Sequence, residues 1–176
     1  MSEATPAGPP GLEQVFREHQ QRVFRAAYRV TGNAQDAEDV LQTVFLRLAR
    51  RDTGELPVEN PSSYLYRAAV NTALDLLRAR RGAENVAIED AERQRPTALS
   101  VAPERGDEVR ELREWLRRAL ARLTPKAAEV FTLRYVEGHG NHEIARMLGL
   151  SRIAVAVSLH RTRRRLSQEL KRRGLR

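Results

Sequence analysis

The stretch "NHEIARMLGLSRIAVAVSLHRTRRRL", residues 141–166, decides between two fold classes. Its middle alternates Ile153, Val155, Val157 and Leu159 in the period of a half-buried strand, and its end is a cluster of arginines. The helical reading is the stronger one. A lone strand in a chain whose other segments are helical has no partner for its backbone N–H and C=O groups, and Leu166 and Leu170 carry helical spacing through the arginine run. Asn141 is expected to cap a short helix, and Ala145 is small where a second helix crosses. Gly149, four residues later, supplies the positive φ of a tight turn, and Ser151 caps the helix that follows. This spacing predicts a helix-turn-helix, a motif whose second helix enters the major groove of DNA.

Working upstream, "LTPKAAEVFTLRYVEG" (123–138) reads as a helix with Thr124 as its cap and Pro125 at the first position, where a missing N–H costs nothing. Before it, Val109, Leu112, Trp115, Leu116, Ala119 and Leu123 keep helical spacing. From 82 to 107 the periodicity fails in "GAENVAIEDAERQRPTALSVAPERGD", which mixes prolines with acids and reads as an extended, acidic, flexible linker. In 12–30, Leu12, Val15, Phe16, His19, Val23, Phe24, Ala27 and Val30 mark one face of a helix that "TGN" ends. Asn33 is placed to cap the next helix. Asp36, Glu38 and Asp39 suit its positive N-terminal end, and Val40, Leu41, Val44, Phe45 and Leu48 form its apolar stripe. "RRDTGELPVENPSS" (50–63), with Gly54, Pro57 and Pro61, is a loop, and "SYLYRAAVNTALDLLRARR" (63–81) is a third helix. The expected fold is therefore all-α: a tail over 1–11, one small helical domain over 12–81, the linker over 82–107, and a second small domain with the helix-turn-helix over 108–176.

The formal net charge of +8 over 176 residues is unevenly spread. Residues 1–81 carry 11 arginines against 10 acids, 82–110 carry 4 against 7, and 111–176 carry 16 basic residues against 6 acids. A C-terminal third this basic points to a polyanion, most often nucleic acid. No apolar run approaches the ~20 residues of a membrane helix, so no membrane insertion is expected. "MSEATPAGPPG" has acid, proline and glycine where a signal peptide has a basic end and an apolar core, and the absence of cysteine fits a reducing cytoplasm. His139 and His142 lie in a glycine-containing turn without a carboxylate or cysteine to complete a metal set, and His19 sits on an apolar stripe. With no Gly-rich phosphate loop or nucleophile–base pair, an enzyme is the weakest class, and no cofactor or metal is expected.

"GNAQDAEDVLQTVFLRLAR" followed by "NPSSYLYRAAVNTALDLLRARR", an acidic linker and "LTPKAAEVFTLRYVEGHGNHEIARMLGLS" resembles the extracytoplasmic-function (ECF) sigma factors of bacterial RNA polymerase. The resemblance implies core RNA polymerase (its β′ coiled coil and β subunit), promoter DNA and an anti-sigma factor as partners. It implies that Asp39, Gln42 and Phe45 contact the β′ coiled coil. It also implies that Tyr64, Asn71, Arg78, Arg80 and Arg81 open and hold the minus-ten element, a task that uses a stacking ring, an amide and cations. Ser151, Arg152, Ser158, Arg161, Arg163, Arg164 and Arg165 of the helix-turn-helix are then the contacts to the minus-thirty-five element. "LTPKAAEVFTLRYVEGHGNHEIA" also resembles the C-terminal motif of LuxR-type regulators, a reading that leaves 12–81 unexplained.

One departure bears on mechanism. Family members commonly open the recognition helix with a Gly-Thr-Val-Lys-Ser-Arg-like run, where this chain has Ile153, Ala154, Val155, Ala156, Val157 and Ser158. Arg161, Arg163, Arg164 and Arg165 suit phosphates, which gives affinity without sequence information. The apolar half is expected to read weakly, by methyl contact with thymine and by DNA shape, or to be covered by a protein partner.

Overall fold

The computed structural model describes residues 12–50, 61–91 and 105–172, with side chains described outside 84–108. The tail over 1–11, most of the 50–63 loop, the 92–104 part of the linker and the last four residues lie outside the described residues. Seven helices and no strand occur among them: α1 (Leu12–Thr31), α2 (Ala34–Ala49), α3 (Pro61–Ala91), α4 (Arg105–Ala121), α5 (Pro125–Tyr135), α6 (Asn141–Leu148) and α7 (Arg152–Arg172). The alternating run 153–159 is thus helical. No helix among the described residues is long and apolar enough to cross a membrane. The chain divides into two compact units, Met1–Ala73 and Leu74–Arg176, with the division inside α3.

In the first unit α1 and α2 pack lengthwise, burying Val15, Val23, Ala27 and Val30 from one and Ala37, Val40, Val44 and Phe45 from the other. The turn between them is set by sequence. Gly32 takes φ +68° and its N–H reaches the Tyr28 carbonyl at 2.7 Å. Asn33 then accepts from the Asp36 N–H at 3.2 Å, the expected cap, and the acidic Asp36 is buried in the first turn of α2. The start of α3 is held by polar contacts. Arg22 of α1 donates to Ser62 Oγ and lays its guanidinium 5.3 Å from the centre of the Tyr66 ring, while Arg47 of α2 donates to Thr72 Oγ1 at 3.3 Å.

The helix α3 does not stop at Arg81 as the loss of periodicity suggested. It runs through Gly82 to Ala91, a length of about 46 Å at 1.5 Å per residue. The reason is that "GAENVAIEDA" lacks an apolar stripe yet contains no proline and is rich in Ala and Glu; one glycine costs only about 1 kcal/mol relative to alanine. The first ten positions of the expected linker are therefore helical, and α4 starts at Arg105, shortly after Pro103.

In the second unit Trp115, Ala119, Leu120 and Leu123 are buried together with Val130, Phe131 and Leu133 of α5, Ile144 and Leu148 of α6, and Val155, Leu159 and Leu166 of α7. Thr124 accepts from the Ala127 N–H at 3.4 Å and Pro125 opens α5, both as expected. The last turns of α7 are tied back by Glu169, which meets Arg122 at 3.1 Å and Arg165 at 3.5 Å.

Candidate nucleic-acid interface

The helix-turn-helix is built by α6, a three-residue turn and α7. Gly149 ends α6 in the left-handed region (φ +63°), and the Leu150 N–H closes on the Ala145 carbonyl at 2.9 Å, so the chain reverses within one glycine-dependent step. Ser151 Oγ accepts from the Ala154 N–H at 3.1 Å and fixes the start of α7. Asn141 does not cap α6. It is the first helical residue, Gly140 holds the cap position without a side chain to bond, and the Asn141 Oδ1 is buried and unbonded. The turn before α6 is held by Glu143 instead. His139 Nδ1 donates to Glu143 Oε1 at 2.8 Å, and that hydrogen bond, more than any other influence, holds the Glu143 carboxyl below its ordinary value of 4.5. Arg134 secures the same turn by donating to the His139 carbonyl at 3.0 Å. No cluster of metal-ligating side chains occurs among the described residues.

The helix α7 shows two faces. Val155, Leu159, Thr162 and Leu166 are buried at helical spacing, and at 100° per residue Ile153, Val157 and Arg164 fall on the ridge opposite them. Ile153 is 76% exposed and Val157 41% exposed, which makes their side chains part of the outward surface. Ala154 and Ala156 flank them and are exposed; His160, which sequence reasoning passed over, lies on the same surface between Val157 and Arg164. Arg152, Arg161, Arg163 and Arg164 are exposed, whereas Ser158 is half-buried. Arg165 is also exposed but is paired with Glu169, which reduces its availability to a phosphate.

The candidate residues of α3 separate by exposure. Tyr64, Asn71, Arg78 and Arg81 are half-buried and Arg80 is exposed. Tyr64, Asn71 and Arg78 recur every seven residues and so share one strip of the helix. Arg78 donates to Asp75 at 2.7 Å, the local pairing that a charge three residues away predicts.

On α2, Asp39 and Gln42 are exposed side by side. Phe45 is not part of that surface. It is 7% exposed and meets Phe16 edge to face, ring centres 4.8 Å apart and planes at 72°. Its membership of the apolar stripe had already assigned it to the core; the neighbouring Leu46, 55% exposed and four residues from Gln42, is the apolar group that the α2 surface presents.

Two parts of the chain match known protein families. Residues 15–83 match the Sigma-70 region 2 family and residues 113–166 the Sigma-70 region 4 family. The ECF RNA polymerase sigma factor SigE of Mycolicibacterium smegmatis is 32% identical over 164 residues, which span 93% of this chain and 63% of that longer protein. The RNA polymerase sigma-E factor of Streptomyces avermitilis is 34% identical over 164 residues, spanning 93% of this chain and 87% of that protein. The chain belongs to the ECF sigma factors. As a sigma factor it directs transcription initiation by RNA polymerase, and it is a regulatory protein rather than a classical enzyme. The solved structure of CnrH in complex with the cytosolic domain of CnrY shares the fold, with a TM-score of 0.51 at 22% identity over 91% of this chain and 87% of that one. Region 2 of this sigma factor thus contains α1, α2 and most of α3, and region 4 contains the helix-turn-helix.

Proposed function

We propose that this sigma factor divides its work among three surfaces. The exposed strip of α2 formed by Asp39, Gln42 and Leu46 binds the β′ coiled coil of core polymerase. The strip of α3 carrying Tyr64, Asn71 and Arg78, with Arg81 beside its end and Arg80 on the far side of the helix, engages the non-template strand of the minus-ten element. The helix-turn-helix engages the minus-thirty-five element, with Ser151 and Arg152 at the front of α7 and Arg161, Arg163 and Arg164 on phosphates. The domains are 12–81 and 108–176, and residues 82–107 join them. The protein works in the cytoplasm, with an anti-sigma factor among its partners.

The observation that carries this reading is the α2 surface. Two polar side chains and a leucine stand exposed beside one another on a helix whose opposite face buries Ala37, Val40, Val44 and Phe45, within the residues that match region 2. The experiment is reconstitution. Core polymerase supplied with the full chain is expected to yield discrete transcripts from a library of genomic fragments. Asp39→Ala with Gln42→Ala is expected to reduce affinity for core polymerase while circular dichroism stays unchanged. Unchanged affinity would remove α2 from the interface, and core binding without transcripts would leave the chain a regulator that does not initiate.

A further inference from the structure

We infer that the first two turns of α7 form a reader of pyrimidine 5-methyl groups, thymine above all, in the major groove of duplex DNA. The inference rests on the assignment of α7 as the DNA-facing helix and specifies what that helix selects. Ile153 and Val157 stand one turn apart on the ridge opposite the core, 76% and 41% exposed, with Ala154 and Ala156 exposed on either side. None of the four has a donor or acceptor. Val155 and Leu159 are committed to the core, so the helix cannot roll to offer another face without exposing them.

Single exposed apolar residues need no explanation, but a patch of four around one helical turn does. Charge identifies the occupant. The patch is preceded by Arg152 and followed by Arg161, Arg163 and Arg164, and the ridge itself passes from Ile153 and Val157 to Arg164 and Lys171. A partner must therefore be apolar opposite this turn and anionic on either side of it. The DNA major groove meets both conditions, because its walls are phosphates and the thymine methyl is the one apolar group displayed on its base edges. Guanine, adenine and unmodified cytosine present only donors and acceptors there, which Ile153 and Val157 would bury without replacing their water. Cytosine carrying a 5-methyl group presents the same methyl, beside an amino donor where thymine has a carbonyl acceptor.

The test uses the full chain bound to core polymerase. A duplex pool with a randomised window is selected for binding, and the enriched duplex is remade with deoxyuridine for thymidine, or with 5-methylcytosine for cytosine, within the window. Deoxyuridine is expected to weaken binding about four-fold for each methyl lost, and 5-methylcytosine to strengthen it by a similar factor where it faces the ridge. Ile153→Ser with Val157→Ser should erase the difference between thymidine and deoxyuridine and leave the salt dependence unchanged. Arg164→Ala should weaken all duplexes alike. Salt-dependent binding that Arg164→Ala weakens but that is indifferent to the methyl groups would overturn the inference, leave α7 on the phosphates and assign the ridge to a protein. Binding unaffected by either set of substitutions would overturn the placement of α7 on DNA, and this inference with it.

Discussion

Replacing Phe45 by alanine separates core from surface on α2. The ring is 7% exposed and packs edge-on against Phe16 at 4.8 Å. Truncating a buried phenylalanine costs about 3–5 kcal/mol, and because Phe16 is itself only half-buried the lower end applies. The edge-to-face pair accounts for about 0.5–1.5 kcal/mol of that, recoverable from a double-mutant cycle with Phe16→Ala. For a unit of this size, about 3 kcal/mol lowers Tm by about 12–24 °C, readily seen by circular dichroism. Leu46→Ala, one residue away but 55% exposed, should change stability by less than about 0.5 kcal/mol. If Leu46 meets the polymerase, its truncation weakens core binding about ten-fold, equivalent to about 1.4 kcal/mol. The reasoning is refuted if Phe45→Ala keeps the wild-type Tm and loses core affinity, because the ring would then be a contact and not a core element.

Arginines of α7 should differ in their effect on DNA affinity. Arg164→Ala is expected to reduce the slope of log K against log salt by about one on any duplex, and Arg165→Ala to do less, because Glu169 already holds that guanidinium. Gly149→Val forces a β-branched residue to φ +63° and should cost about 1–2 kcal/mol in urea unfolding even though no neighbour lies within 4 Å of an added Cβ; an unchanged midpoint would show that the turn relaxes freely. The Glu143 carboxyl is held below 4.5 by His139, so its contribution is present above the unfolded pKa and is lost as pH falls through the lower folded one. Glu143→Gln should therefore flatten the stability profile on the acid side of about pH 4.5 and lower stability slightly at neutral pH, measured as urea midpoint against pH.

The caps were legible in the sequence. Asn33, Thr124 and Ser151 each accept the backbone hydrogen bond that their position predicted, and Gly149 has the positive φ that the turn requires. These are short-range effects, decided within four residues. What was not legible depends on choices that sequence leaves balanced. Asn141 and Gly140 are both acceptable cap residues, and the selection between them is made by where the α5–α6 turn places the chain. The end of α3 was misplaced because the expectation rested on apolar periodicity, and "GAENVAIEDA" carries no apolar stripe although its backbone is helical. For Phe45 the stripe and the family resemblance pointed in opposite directions, and packing against Phe16 follows the stripe. The pairing of Arg165 with Glu169 is an i, i+4 contact that spacing alone could have supplied.

The order of side chains along α7 also sets a division in time. Arginines act at a distance of about a Debye length, so on the proposed placement of α7 the exposed cluster beginning at Arg161 is expected to govern how often the helix meets DNA and how strongly salt slows that encounter. Ile153 and Val157 act only on contact, and their influence falls on how long a correctly docked helix stays. Substitutions in the rear half should move the association rate, and substitutions at the front should move the dissociation rate, so that search and residence are separately adjustable on a single helix.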